Sequence, residues 1–156
     1  MWKHFKNVIL EISCDGWGEA VEYSRTGFIR KDFLRNLQTV INIPYISTQI
    51  NCVVNIYSVW SLPDIERFRE KLGLYIVYAP CYLPDHTNAQ RLFKKDKEAL
   101  KRLYAGNKYL EDVYRNFIHK HEDPMPKAMV HYNLELDKHR GTDFFKTFPQ
   151  YKKYNI

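Results

Sequence analysis

Apolar and polar positions follow two regimes along this chain, and the change falls near residue 84. Before it, short apolar runs alternate with segments of helical period. Asn7-Val-Ile-Leu-Glu-Ile-Ser13 is β-branched and largely apolar and ends at Asp15-Gly16, which predicts a strand feeding a loop. Lys31 to Val40 then places Phe33, Leu34, Leu37 and Val40 on one helical stripe. Pro44 separates that helix from a second predicted strand, Thr48 to Ile56. Ser61-Leu-Pro-Asp64 reads as a helix start, with Ser61 as N-cap and Asp64 three residues on, a near capping box. Ile65, Phe68 and Leu72 would face the core, and Gly73 suits the C-terminal cap. Leu74 to Tyr78 is the third predicted strand, closed by Pro80.

Strand, helix, strand, helix, strand is an α/β pattern. Strands this apolar are expected to be covered on both faces, paired in parallel and joined by right-handed crossovers. Ligands on such sheets bind at the carboxyl ends of the strands, here Ser13–Gly18, Asn55–Ser58 and Ala79–Leu83. From Pro84 onward the period is helical. Phe93 to His121 predicts two helices broken near Gly106-Asn107, and Asp123-Pro-Met-Pro126 predicts a turn. Ala128 to His139 predicts another helix, with Met129, Tyr132 or Asn133, and Leu136 on one side. Thr147 to Ile156 is aromatic and basic and reads as a loosely ordered tail. The expected organisation is a β/α unit over 1–84 and a helical extension over 85–156 packed on it as one compact unit.

Composition narrows the classes. At 156 residues, with 45% hydrophobic and 27% charged residues, the chain predicts one globular domain and excludes wholesale disorder. It has no apolar run of about 18 residues, so no membrane partner is expected, and the absence of a secretory pattern makes the cytoplasm the expected compartment. Three scattered cysteines, Cys14, Cys52 and Cys81, form neither a disulfide framework nor a metal knuckle. The net charge of +6 is uneven: residues 1–84 hold 9 Lys/Arg against 8 Asp/Glu, and residues 85–156 hold 15 against 10. A basic half can bind nucleic acid through its phosphates. In Lys94–Arg102, however, the cations alternate with Asp96, Glu98 and apolar residues, as on a solvated helix face.

Candidate chemistry is sparse. Asp15-Gly16-Trp17-Gly18 begins like a dinucleotide fingerprint, but Val21 stands where the third glycine belongs and no helix is expected there. His119, His121, His131 and His139 read as surface histidines, because a His-x-His pair on a helix points its rings apart. Cys14 has no histidine nearby in sequence and reads as a small buried side chain. The stretch from Ile12 to Gly27 differs: Ser13 offers a hydroxyl, Asp15 a carboxylate and Arg25 a planar cation at one rim. These residues suit a zwitterionic, ribose-bearing ligand and equally suit an Asp–Arg ion pair that fixes the loop.

With its Ser-x-Asp-Gly strand end and following Arg-x-Gly, this stretch resembles the radical S-adenosylmethionine (SAM) enzymes, in the branch with a SPASM or twitch extension common in phages. The resemblance extends through Asn51–Leu72, where a strand is followed by Ser-x-x-x-Leu-Pro and a helix, and more weakly beyond Pro80. It implies a partial, half β/α barrel of about three parallel strands. Ser13 would help bind the methionyl or ribose part of S-adenosyl-L-methionine, Asp15 and Arg25 would shape that pocket, Arg35 would meet its carboxylate, and Ala79 would border the adenine. No Cys-x-x-x-Cys-x-x-Cys motif is present, nor a Gly-Gly-Glu-Pro type motif, so the likeness is to the C-terminal half alone. The three cysteines fit neither the main cluster nor a twitch cluster. A 4Fe-4S cluster would then come from a partner chain, and this truncated or split half would not be catalytic alone. The implied partner is a complementary N-terminal half or, in a homo-oligomer, a second copy. The alternatives are a cluster-free, viral interaction module that binds a protein and a basic nucleic-acid-binding protein.

Overall fold

The computed structural model describes residues 4–120 and 122–155. Three strands, β1 (Val8–Ser13), β2 (Ile46–Val54) and β3 (Tyr75–Pro80), form one parallel sheet in the order β1-β2-β3. Two short helices, α1 (Glu19–Ser24) and α2 (Arg30–Ile41), link the first pair, and α3 (Leu62–Leu72) links the second. The fold is α/β with an open sheet. Helix α1 occupies ground where no helix was expected. Gly18, at φ 64°, turns the chain into it, and Glu19 and Glu22 lie in its first turn.

Because sheet order follows chain order, two crossovers of one hand leave their helices on the same side. Ile50 and Cys52 are fully buried beneath Leu37 of α2 and Leu62 and Ile65 of α3. The Tyr78 hydroxyl donates to Glu66 of α3 at 2.6 Å. Among the described residues no helix covers the opposite face, contrary to the expectation of burial on both sides. Register aligns Tyr75 with Gln49 and Glu11, and Val77 with Asn51 and Ser13, on that open face. Ile9 and Tyr75 are each 66% exposed there.

Beyond β3 come α4 (Lys94–Tyr104), α5 (Lys108–Val113) running into a π-helical turn (Tyr114–Ile118), α6 (Pro126–Arg140) and α7 (Phe144–Thr147). They pack over the loops at the carboxyl ends of the strands. The Tyr104 hydroxyl donates to the Val59 carbonyl, and the Tyr151 hydroxyl donates to the Ile56 carbonyl at 2.7 Å. Thus aromatic side chains from the extension satisfy backbone acceptors in the loop after β2. The tail is not loose. Phe148, Tyr151 and Tyr154 are buried in a core cluster shared with the sheet, and Pro149–Tyr154 forms a 3-10 helix. A spacing of three residues puts all three rings on one face at three residues per turn.

Candidate functional site

The carboxyl ends of β1 and β2 are held by Asp15. Its Oδ2 accepts from Arg25 Nε at 2.9 Å and from the second Arg25 nitrogen at 2.6 Å, while Oδ1 accepts from the Val53 N–H at 2.8 Å. Asp15 is buried and so extends the ladder where β1 ends, with Arg25 balancing its charge. The pair fixes the loop. Gly16, at φ 115°, lets that loop pass so close to α3 that a Cβ would sit 2.7 Å from Ser61 Oγ. Ser61 does not cap α3 with its side chain. Its hydroxyl instead accepts from the Trp17 N–H at 3.0 Å and donates to the Ser58 carbonyl at 3.0 Å.

Ser13 and Ala79 lie on the open face, Ser13 beside Asn51 and Ala79 beside Val53. Arg35 sits on the exposed side of α2 and pairs with Asp32 at 3.0 Å. The five expected contact residues therefore divide into three places: a structural ion pair, the open face and a helix surface. Cys14 and Cys52 are buried, and Cys81 is partly buried. Burial and the neighbouring Asp15 carboxylate push the Cys14 thiol up to about 12, and burial drives Cys52 well upward. Both are poor nucleophiles and poor thiolate ligands at neutral pH.

Several concave regions lie outside these residues. A cleft of about 340 Å³ at the carboxyl edge is lined by Trp17, Tyr57, Trp60 and Phe148, with Glu19 and Asp64 at the first turns of α1 and α3. Clefts of about 410 and 250 Å³ lie between α4 and the α5–π-turn segment and share Lys101, Tyr114 and His119. This second region went unread in the sequence, where Lys94–Arg102 looked like a solvated face. In fact Lys97 is buried, and Asp96 is buried against Lys153 and Tyr154. His131 and His139 lie on the exposed side of α6, and His121 lies outside the described residues.

Among the described residues, no group of three or more His, Cys, Asp or Glu side chains is placed to hold a metal ion. The buried, protonated Cys14 and Cys52 do not fit an iron–sulfur cluster. Asp15 and Arg25, expected to shape a SAM pocket, are paired with each other. Among the described residues, no helix is long and apolar enough to cross a membrane. No protein-family model, curated protein or solved structure matches the chain.

Proposed function

We propose that the chain is a β/α half barrel that acts by binding a second protein, which covers the open face of the sheet and pairs with the free edge of β1. One observation carries this reading: a parallel sheet covered by helices on one face only. Parallel sheets are buried on both faces in almost all folds, because their crossovers and apolar strands demand it. Here Ile9, Tyr75 and Val77 stand exposed on the uncovered side, and among the described residues β1 pairs with β2 alone. Asn51, at the centre of that face, has a side-chain oxygen shielded from solvent with no hydrogen-bond partner.

A same-handed winding of both crossovers is how a barrel is wound, with its interior on the open side. The radical SAM reading keeps a narrower footing: Ser13 and Ala79 lie on the face that would become that interior. In that version the partner half carries the cluster cysteines, and this chain contributes surface without being catalytic by itself.

Photo-crosslinking tests the proposal. A benzoylphenylalanine probe replacing Tyr75 or Ile9, in cells of the native source, is expected to capture one protein species that a probe at Tyr132 does not. The adduct should vanish when Val77→Lys is added. No protein adduct at either position, or the same adducts at Tyr132, would overturn the reading. Sequencing the captured species separates a second copy, a cysteine-motif half and an unrelated chain.

A further inference from the structure

The groove between α4 and the π turn has no role in the binding mode just proposed, and it lies on the helical extension rather than on the open sheet face. Lys94, Lys97 and Lys101 line it from one side. Their spacing of three and four residues puts them on one face of α4, over about 10 Å of helix. Among the described residues none of the three is ion-paired with a carboxylate. Lys97 is buried and held by the Gln90 and Lys120 carbonyls, at 2.5 and 2.7 Å, so it braces the wall, while Lys94 and Lys101 carry the cations along the groove.

The opposite wall is built by the π turn. In an α-helix, residues five apart point about 140° away from each other. Here the His119 N–H donates to the Tyr114 carbonyl at 2.8 Å, an i to i+5 bond, and the two rings come within 6.2 Å, edge to face. The inserted residue thus turns a phenol ring and an imidazole onto the same cleft, and single π turns are found disproportionately at functional sites. Of the acids that line the groove, Glu122 is paired with Arg91 at 2.9 Å and Glu111 accepts from the Gly106 N–H at 2.9 Å. Arg115 pairs with Asp112, and Glu98 is the remaining carboxylate on the lining. Lysines on one wall and an aromatic pair on the other are what a nucleotide chain requires: cations for phosphates and a π surface for a base.

We propose that this groove binds single-stranded nucleic acid, with phosphates on Lys94 and Lys101 and a base against the Tyr114–His119 wall. The binding depends on salt, because each phosphate neutralised releases counterions.

The test is fluorescence anisotropy with labelled oligo(dT) and oligo(U) 15-mers over a salt series, using the full chain and variants checked for native circular dichroism. Lys94→Gln and Lys101→Gln are each expected to weaken binding about five- to tenfold at low salt, and each to lower the salt slope by about 0.7. His119→Ala should weaken binding while leaving the slope unchanged, which separates ring contact from charge. Lys138→Gln, on the exposed side of α6, should change neither affinity nor slope beyond its small effect on net charge. No binding at low salt, or equal losses in the Lys138→Gln and Lys101→Gln proteins, would overturn the proposal. A mononucleotide that binds as tightly as the 15-mer would overturn the polymer as ligand.

Discussion

At the residue scale, Asp15 ties the end of β1 to both β2 and the loop after α1. It partners Arg25 and the Val53 N–H together, so replacing it leaves a half-buried guanidinium and a backbone donor unanswered. Asp15→Ala is expected to lower stability by about 2–3 kcal/mol in urea unfolding. Arg25→Ala should lower it by less, because Asp15 keeps Val53 and the arginine side chain is 39% exposed. The reverse ranking would mean that the buried Asp15 carboxylate, left without its cation, costs more than the lost Val53 bond. Both residues were legible in the sequence as a pair, yet their role was not. A ligand pocket and a loop brace ask for the same residue types, and the Val53 contact, 38 residues away, is one that local spacing does not show. The thiols make a second check. With Cys14 and Cys52 buried and their thiols pushed upward, one cysteine per native chain should react with a maleimide at neutral pH, namely Cys81, and all three in urea. Rapid labelling of Cys14 in the native protein would show that the loop opens.

At the element scale, what decides the architecture is alternation within strands. Ser47, Gln49 and Asn51 in β2, like Glu11 and Ser13 in β1, put polar groups on every second position. That period of two marks a face that helices do not cover, and it stands in the sequence. The apolar partners at Ile9, Val53, Tyr75 and Val77 obscured it, since a mixed face looks like a fully buried strand when read by hydrophobic content alone. The tail misled in a similar way: its rings recur every three residues, a spacing that matches neither the α-helical nor the strand template. Gly16 tests how tightly the loop and α3 are joined. Gly16→Ala meets a positive φ and a Cβ 2.7 Å from Ser61 Oγ, whereas Gly27→Ala, at φ 84°, meets open space. The second should lose about 1 kcal/mol by conformation alone, and the first clearly more, with the difference read from paired urea melts. Equal losses would mean that Ser61 swings away freely and that the Trp17–Ser61 bond contributes little.

At the scale of the whole molecule, sheet and extension are joined by tyrosines, and this predicts how the protein fails at high pH. Tyr23, Tyr57, Tyr104, Tyr151 and Tyr154 are each at most 8% exposed, and burial raises every one of their phenols above the ordinary value, with the Asp137 and Asp96 carboxylates adding to the rise at Tyr23 and Tyr154. A phenol raised on folding stays protonated in the native state while the unfolded chain ionises near pH 10. The unfolded state therefore binds fewer protons above that pH, and stability falls as pH rises. One unit above the unfolded value each such phenol removes about 1.4 kcal/mol, so five together remove on the order of 7 kcal/mol, comparable with the whole stability of a domain. Unfolding near pH 11 is thus expected to be one cooperative step in which tyrosinate absorbance and the loss of circular dichroism coincide. Because these rings come from α1, the loop after β2, α4 and the 3-10 tail, no part can ionise without loosening the others. Deleting residues 144–156 acts on the same joint at neutral pH. It removes Phe144, Phe148, Tyr151 and Tyr154, roughly 1.5–3 kcal/mol of burial each, and should leave a chain that binds a hydrophobic dye and shows no cooperative melt. A truncated chain that still melts sharply, with tyrosines ionising in separate steps, would show instead that the β/α part stands without its extension.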